Sequence, residues 1–207
     1  MQKLLRAFAL MMAAMLVVFM IGCSDNGDDD ALKVNGHIIE PGADLSGADL
    51  SGAVLPEVDL TDIDFSNANL SDANFAGSNL SGANLRGANL SGANLIGTDL
   101  TDADLTGVNL FEADLRRQNF SGKNLSGVDL RKTNLDGANL SEANLSGASL
   151  SGANLRGADL SGADLRGTNL TGVALTDATN FSGASYDEDT IFPDGFDPEQ
   201  AGMVKKE

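Results

Sequence analysis

From Leu45 to Leu175 a large apolar residue returns at every fifth position, 27 times without a gap, and it is Leu except at Phe65, Phe75 and Phe120. Two residues before most centres stands a small apolar residue, usually Ala, and the residue between is Asn or Asp, as in Ala83-Asn84-Leu85, except at Val54, Ser149 and Ala174. A five-residue period excludes an amphipathic helix: at about 100° per residue, successive centres scatter around the cylinder and no face emerges. Small-apolar, polar, large-apolar is instead the in-out-in alternation of a three-residue strand. The next two residues, often Ser-Gly as at Ser81-Gly82 and Ser91-Gly92, carry turn chemistry. The chain is therefore predicted to run straight for three residues, bend, and repeat. Bends of one hand wind a coil with Leu and Ala inside and backbone groups paired between coils. The period leaves open whether three or four bends close a coil.

The repeats cover residues 43–177, about two thirds of the 207 residues. An open coil needs covers at both ends, because it exposes its interior and unpaired strand edges. Residues 33–42 are the predicted front cap, with Val34, Ile38 and Ile39 around an Asn35-Gly36 turn. Residues 178–207 are the predicted rear cap. The register slips by one residue at Thr179-Asn180-Phe181, and Tyr186, Ile191, Phe192 and Phe196 follow. Asp197-Pro198-Glu199 is a helix-start signature, so a short terminal helix through Met203 is expected.

Tandem A(D/N)LXX units at this copy number resemble the pentapeptide-repeat family. The resemblance implies an all-β fold: a right-handed, four-sided parallel β-solenoid of twenty residues per coil, with a C-terminal cap. Twenty-seven units then make a rod of roughly 32 Å at about 4.8 Å per coil. Residues twenty apart become vertical neighbours, so Asn84, Asp104 and Asn124 share an outer column and Leu85, Leu105 and Leu125 an inner one.

The stretch Arg116 to Leu125, RRQNFSGKNL, breaks the pattern with Gln118 and Lys123 where its neighbours carry small apolar residues. Column arithmetic sets Lys123 inward between Ala103 and Ala143, where an unpaired ammonium is costly. Its neighbouring column reads Asp102, Gly122, Glu142, so the lysine is expected to snorkel past Gly122 and sit between the two carboxylates. The same arithmetic places Lys132 beside Glu112, and Asp136 between Arg116 and Arg156. Phe111 points outward beside Arg131, which suits a cation–π contact. Ile96, Phe111, Arg117 and Arg131 form a candidate docking patch, against the simpler reading of ordinary exposed side chains.

Charge narrows the partners. With 30 acidic and 13 basic residues the net charge is −17, a surface that repels nucleic acid and anionic headgroups. His37, the sole histidine, has no second ligand type at metal spacing, and no serine has a histidine partner offered by the repeat. No catalytic site, metal or cofactor is expected. No phosphate loop pattern occurs among the Gly-rich turns.

The N-terminus gives an address. Lys3 and Arg6 precede an apolar run from Ala7 to Ile21, too short to span a bilayer comfortably. It ends in Met20-Ile21-Gly22-Cys23, which resembles a bacterial lipobox; that resemblance implies a signal peptide over residues 1–22 and lipid on Cys23, the only cysteine. Ser24 rather than Asp follows, which by resemblance to Gram-negative lipoproteins favours the outer membrane. Residues 23–32, rich in aspartate, read as a solvated tether. The expected partners are the membrane through Cys23, an envelope protein, and a second copy of the chain. The competing function, by resemblance to cytoplasmic family members, is DNA mimicry directed at DNA gyrase; it fits the acidity but not an exported chain.

Overall fold

The computed structural model describes residues 31–207; the proposed signal peptide, Cys23 and most of the tether lie outside the described residues. A two-residue hairpin opens the structure. Strand β1 (Lys33–Val34) pairs antiparallel with β2 (His37–Ile38) across Asn35 and Gly36, both at positive φ, as a type I′ turn requires. The Asn35 side chain donates to the Asp49 carbonyl at 3.1 Å, which fixes the hairpin on the first coil. Ile39 is buried, and Leu32 and Val34 pack against the same core, while Ile38 faces out.

Beyond the hairpin, each unit contributes one outer residue that bridges in parallel to the outer residue twenty positions later. Asp44 meets Asp64, Asp49 meets Asn69, Val54 meets Asn74 and Asp59 meets Asn79, which defines four faces, the first to the fourth. Two main-chain bonds maintain each step. The centre's N–H donates upward (Leu45 to Asp64 O, 2.8 Å), and the outer residue's N–H donates downward (Asp64 to Ala43 O, 2.9 Å). At each corner the small residue's N–H returns to the preceding Leu carbonyl, as Ala48 does to Leu45 at 3.1 Å. That turn needs positive φ at its second residue, which Gly supplies without steric cost.

The interior is a stack of Leu and Ala. Leu50, Leu55, Leu60 and most of their successors are wholly buried, with Phe65 and Phe75 tilted together at 6.1 Å between centroids. Burial of this apolar wall supplies the main stabilisation, since neither the strands nor the turns could persist alone.

At the rear the offset between bridged residues grows from 20 to 21 (Asp159 to Asn180, Asp164 to Ser185) and then to 22 (Asn169 to Ile191). The slip brings Phe181 into the core, and Phe196, Phe192 and Tyr186 close over it in an aromatic chain with centroid separations of 5.2, 5.3 and 5.4 Å. Strand β3 (Ser185–Tyr186) then receives β4 (Val204–Lys205) in parallel.

The expected terminal helix does not form. Asp197 does cap a turn, with its carboxylate accepting from the N–H groups of Glu199 and Gln200. The turn ends after five residues because Gly202 adopts φ 76° and Met203 is drawn into the core. The chain then continues as β4, where backbone pairing with Ala184 and Tyr186 replaces helical bonds.

One interval departs from the regular ladder. Between the coil of residues 97–107 and the coil above it, the N–H groups of Gly97, Leu100, Asp102, Leu105 and Gly107 lack the upward bonds made by their counterparts elsewhere among the described residues. The bridges that would join Asp99 to Asn119 and Asp104 to Asn124 are likewise absent. The gap spans the fourth and first faces, while the second and third remain paired through Asn109–Asp129 and Asn94–Asp114.

Candidate functional site

The four residues of the expected patch fall on two neighbouring corners. Phe111 and Arg131 share the corner between the second and third faces, and Ile96 and Arg117 lie on the corner between the third and fourth. Asp114 stands on the face between them. Phe111 and Ile96 are half-buried, and the Phe111 ring is covered by two cations, Arg131 Cζ at 5.4 Å and Lys132 Nζ at 5.1 Å from its centroid. Lys132 Nζ also lies 3.0 Å from Glu112 Oε1. The aromatic face is thus occupied within the chain, which leaves little of it for a partner.

The arginines follow a rule that the column arithmetic missed. Where the outer residue of a unit is Asp, the Arg two positions later folds back along its own strand and forks onto that carboxylate. Arg116 binds Asp114 (2.9 and 2.8 Å), Arg131 binds Asp129 (2.8 and 2.6 Å), and Arg166 binds Asp164 (2.9 and 2.6 Å). In each case the arginine's own backbone N–H also donates to the same carboxylate. Where the outer residue is Asn, no fork forms: Arg86 reaches only to 4.0 Å of Asp104, and Arg156 offers Nη1 to Asn154 Oδ1 at 3.5 Å. The signal was present in the sequence as Asp-Leu-Arg against Asn-Leu-Arg.

This corrects the expected placement of Asp136 between Arg116 and Arg156. Arg116 is taken by Asp114, and Asp136 contributes only a lesser Coulomb attraction to its raised pKa. The partner two residues away on the same strand wins because a planar guanidinium meets both carboxylate oxygens there without leaving the surface. The Arg131 guanidinium similarly holds Asp129 below the ordinary carboxylate range, and Arg166 does so for Asp164.

Lys123 is also placed differently. Among the described residues it forms no ion pair with Asp102 or Glu142. It is partly buried, and the carboxylate it influences is Asp99, below it on the fourth face, where its charge adds the smallest contribution to a pKa lowered chiefly by Thr101. Arg117 is exposed, has no ion-pair partner among the described residues, and holds φ 58°. Asp102, Glu112, Lys132 and Glu142 share that left-handed conformation, since all five occupy the corner position where other units carry Gly.

The outer columns themselves form side-chain ladders. Asn109 donates to Asn89 at 3.0 Å and Asn89 to Asn69 at 3.2 Å, and the lowest member donates to an aspartate, as Asn69 does to Asp49 at 3.0 Å. Each outer Asn or Asp oxygen also accepts the N–H two residues on, as Asp49 does from Ser51. Those bonds hold Asp44, Asp49, Asp59 and Asp159 below the usual aspartate value. Among the described residues no cluster of His, Cys, Asp and Glu has metal-binding geometry.

A twenty-residue repeat built from four outward Asn/Asp columns around a Leu/Ala interior defines a β-solenoid of tandem five-residue units. The chain belongs to the pentapeptide-repeat family: the profile for pentapeptide repeats matches residues 42–72, 68–107, 109–147 and 143–185, in eight copies. The solenoid is right-handed and four-sided. Among solved structures, the chain is similar to HetL, a pentapeptide repeat protein involved in heterocyst differentiation regulation from the cyanobacterium Nostoc sp., at 38% identity over 74% of this chain and 76% of that one, with a TM-score of 0.39. It is similar to QnrB1, a plasmid-mediated fluoroquinolone resistance protein, at 22% identity over 79% and 77% of the two chains, TM-score 0.36. It is similar to Rfr23 from the cyanobacterium Cyanothece at 29% identity over 67% and 91%, TM-score 0.30. No curated protein matches the chain.

Proposed function

We propose that this protein is a non-catalytic, lipid-tethered solenoid that presents an acidic rod at the bacterial cell envelope for binding, spacing or assembly. The observation that carries the reading is the Gly22-Cys23 junction at the end of a fifteen-residue apolar run, followed by an aspartate-rich segment that leads into the front cap. Lipid on Cys23 would hold the front of the rod near the membrane, and the net charge of −17, which becomes −19 once Lys3 and Arg6 leave with the signal peptide, would keep its sides away from anionic headgroups. The uniform polar columns suit a recognition surface rather than a reaction centre, because their carboxylates are engaged by neighbouring N–H groups and guanidinium forks.

The test is to express the intact gene, label with palmitate, and fractionate membranes alongside a Cys23→Ala variant. Label and membrane association in the parent, both lost in the variant, support the reading. A soluble cytosolic protein unlabelled in both forms overturns it. That outcome would favour the second reading, DNA mimicry directed at DNA gyrase, for which the acidity of the surface speaks. Inhibition or protection of gyrase in a supercoiling assay would then decide it.

A further inference from the structure

We infer that the half-turn gap above residues 97–107 is a hinge built into the solenoid, dividing it into two stiff blocks that rock about the second and third faces.

The gap has a visible wedge. In the inward column Ser78, Thr98, Gln118, each polar side chain donates to a carbonyl of the coil below: Ser78 to Leu55 O, Thr98 to Phe75 O at 2.8 Å, and Gln118 to Leu95 O. Ser and Thr do so within the normal coil spacing. Gln118 brings a longer arm and a whole carboxamide. Its Nε2 donates to Thr98 O at 2.9 Å while its Oε1 accepts from Asn119 N–H at 3.3 Å. The regular ladder would join Asn119 N–H directly to Thr98 O, as Asn139 N–H joins Gln118 O. The side-chain amide is therefore spliced into that bond, taking the place of the direct main-chain contact.

Lys123 extends the separation to the first face. Ala occupies its column in the coils directly below and above, at Ala103 and Ala143, and the largest side chain the column holds with the ladder intact is the branched Ile63, so the long lysine stem exceeds anything packed there at regular spacing. Where the lysine stem intrudes, the N–H of Asn124 loses its bond to Ala103 O, and the next bridged strand loses that from Asp129 N–H to Val108 O. The wall below the gap is no longer sealed: Ala103 is 8% exposed and Leu105 3%, against 0% for Ala83 and Leu85 one coil down.

On the other half of the turn the ladder holds. Leu95 N–H still reaches Asp114 O and Leu110 N–H reaches Asp129 O, both at 3.0 Å. The two blocks are thus joined along one side and open along the other. Rocking about the joined side breaks no further main-chain bonds, whereas bending anywhere else in the regular ladder would. A rod with such a joint can direct its two acidic segments along different axes.

Two measurements on the full-length chain carrying Cys23→Ala test the inference, with Gln118→Ala and Lys123→Ala combined as the comparison, since Ala is the common residue of both columns. In native-state hydrogen exchange, the amides of Leu100, Asp102, Leu105 and Asn124 should exchange on the order of 100-fold or more faster than those of Leu80, Leu85 and Asn144. Equal protection would show that the ladder is closed and would overturn the gap. Spin labels on cysteines introduced at Ser81 and Ser161, four coils apart on the open side, should give a broad distance distribution. The pair Ser71 and Ser151, four coils apart on the joined side, should give a narrow one. The double alanine variant should raise protection at the gap and narrow the first distribution. Equal widths for the two pairs, or no narrowing in the double variant, would identify a fixed kink and overturn the hinge.

Discussion

Substitution at Asn89 separates the contributions of the outer ladder. Its side chain makes three bonds: it donates to Asn69 Oδ1 at 3.2 Å, accepts from Asn109 Nδ2 at 3.0 Å, and accepts from Ser91 N–H at 3.2 Å. Asn89→Ala removes all three. A neutral bond contributes a net of about 0.5–1.5 kcal/mol, and water can reach this half-buried site, so the lower end applies and the expected loss is about 1.5–3 kcal/mol. Asn89→Asp keeps both accepting roles, strengthened by charge, and loses only the donation to Asn69. The native chain already tolerates an aspartate above an asparagine, at Asp99 over Asn79 and Asp129 over Asn109. The expected loss is therefore about 1 kcal/mol at neutral pH. It should grow in acid, because a carboxylate that accepts from Asn109 and Ser91, as Asp49 does from Asn69 and Ser51, is held below its unfolded pKa, and that contribution is lost on protonation. Urea denaturation followed by circular dichroism reads both, provided the m-value is unchanged. The reasoning fails if the aspartate variant is as damaging as the alanine one, or if the alanine variant costs less than about 0.5 kcal/mol.

Two further outcomes follow from local geometry. Arg117→Gly should raise the denaturation midpoint by up to about 1 kcal/mol equivalent, because φ 58° is strained for arginine and free for glycine, and no ion pair is lost among the described residues; an unchanged or lowered midpoint would deny that strain. Acid should destabilise the rod: Asp49, Asp129 and Asp164 have folded pKa values below their unfolded ones, so their contribution is complete above about pH 4 and is lost as pH falls through the lower folded values. A thermal midpoint that rises steadily from pH 4 to pH 2 would refute this.

Much of the architecture was legible because a short motif repeated 27 times states a local rule over and over. The in-out-in alternation determined which residues face the core, and the turn residues determined where the chain bends. The slip near Thr179 and the aromatic residues beyond it announced the rear cap. The terminal helix was misread because a helix-start signature describes only the first turn. Whether a second turn follows was decided by Gly202 and by the free edge of β3, which lies one coil earlier and offers Val204 to Lys206 a pairing partner.

The charges show the same division at finer scale. Column arithmetic identifies neighbours twenty residues apart, and it brings Lys132 to Glu112. It cannot rank those neighbours against a carboxylate two residues away on the same strand, and there the guanidinium fork to Asp114 prevails over Asp136. Nor can it tell whether a residue too large for its column will be squeezed outward or will part the coils. The repeat alone states where the chain bends, which positions turn inward and where the pattern breaks, at Gln118 and Lys123. That this break opens the ladder is a property of the folded coils, because a carboxamide can substitute for a peptide bond's partner only when both coils are already in place around it.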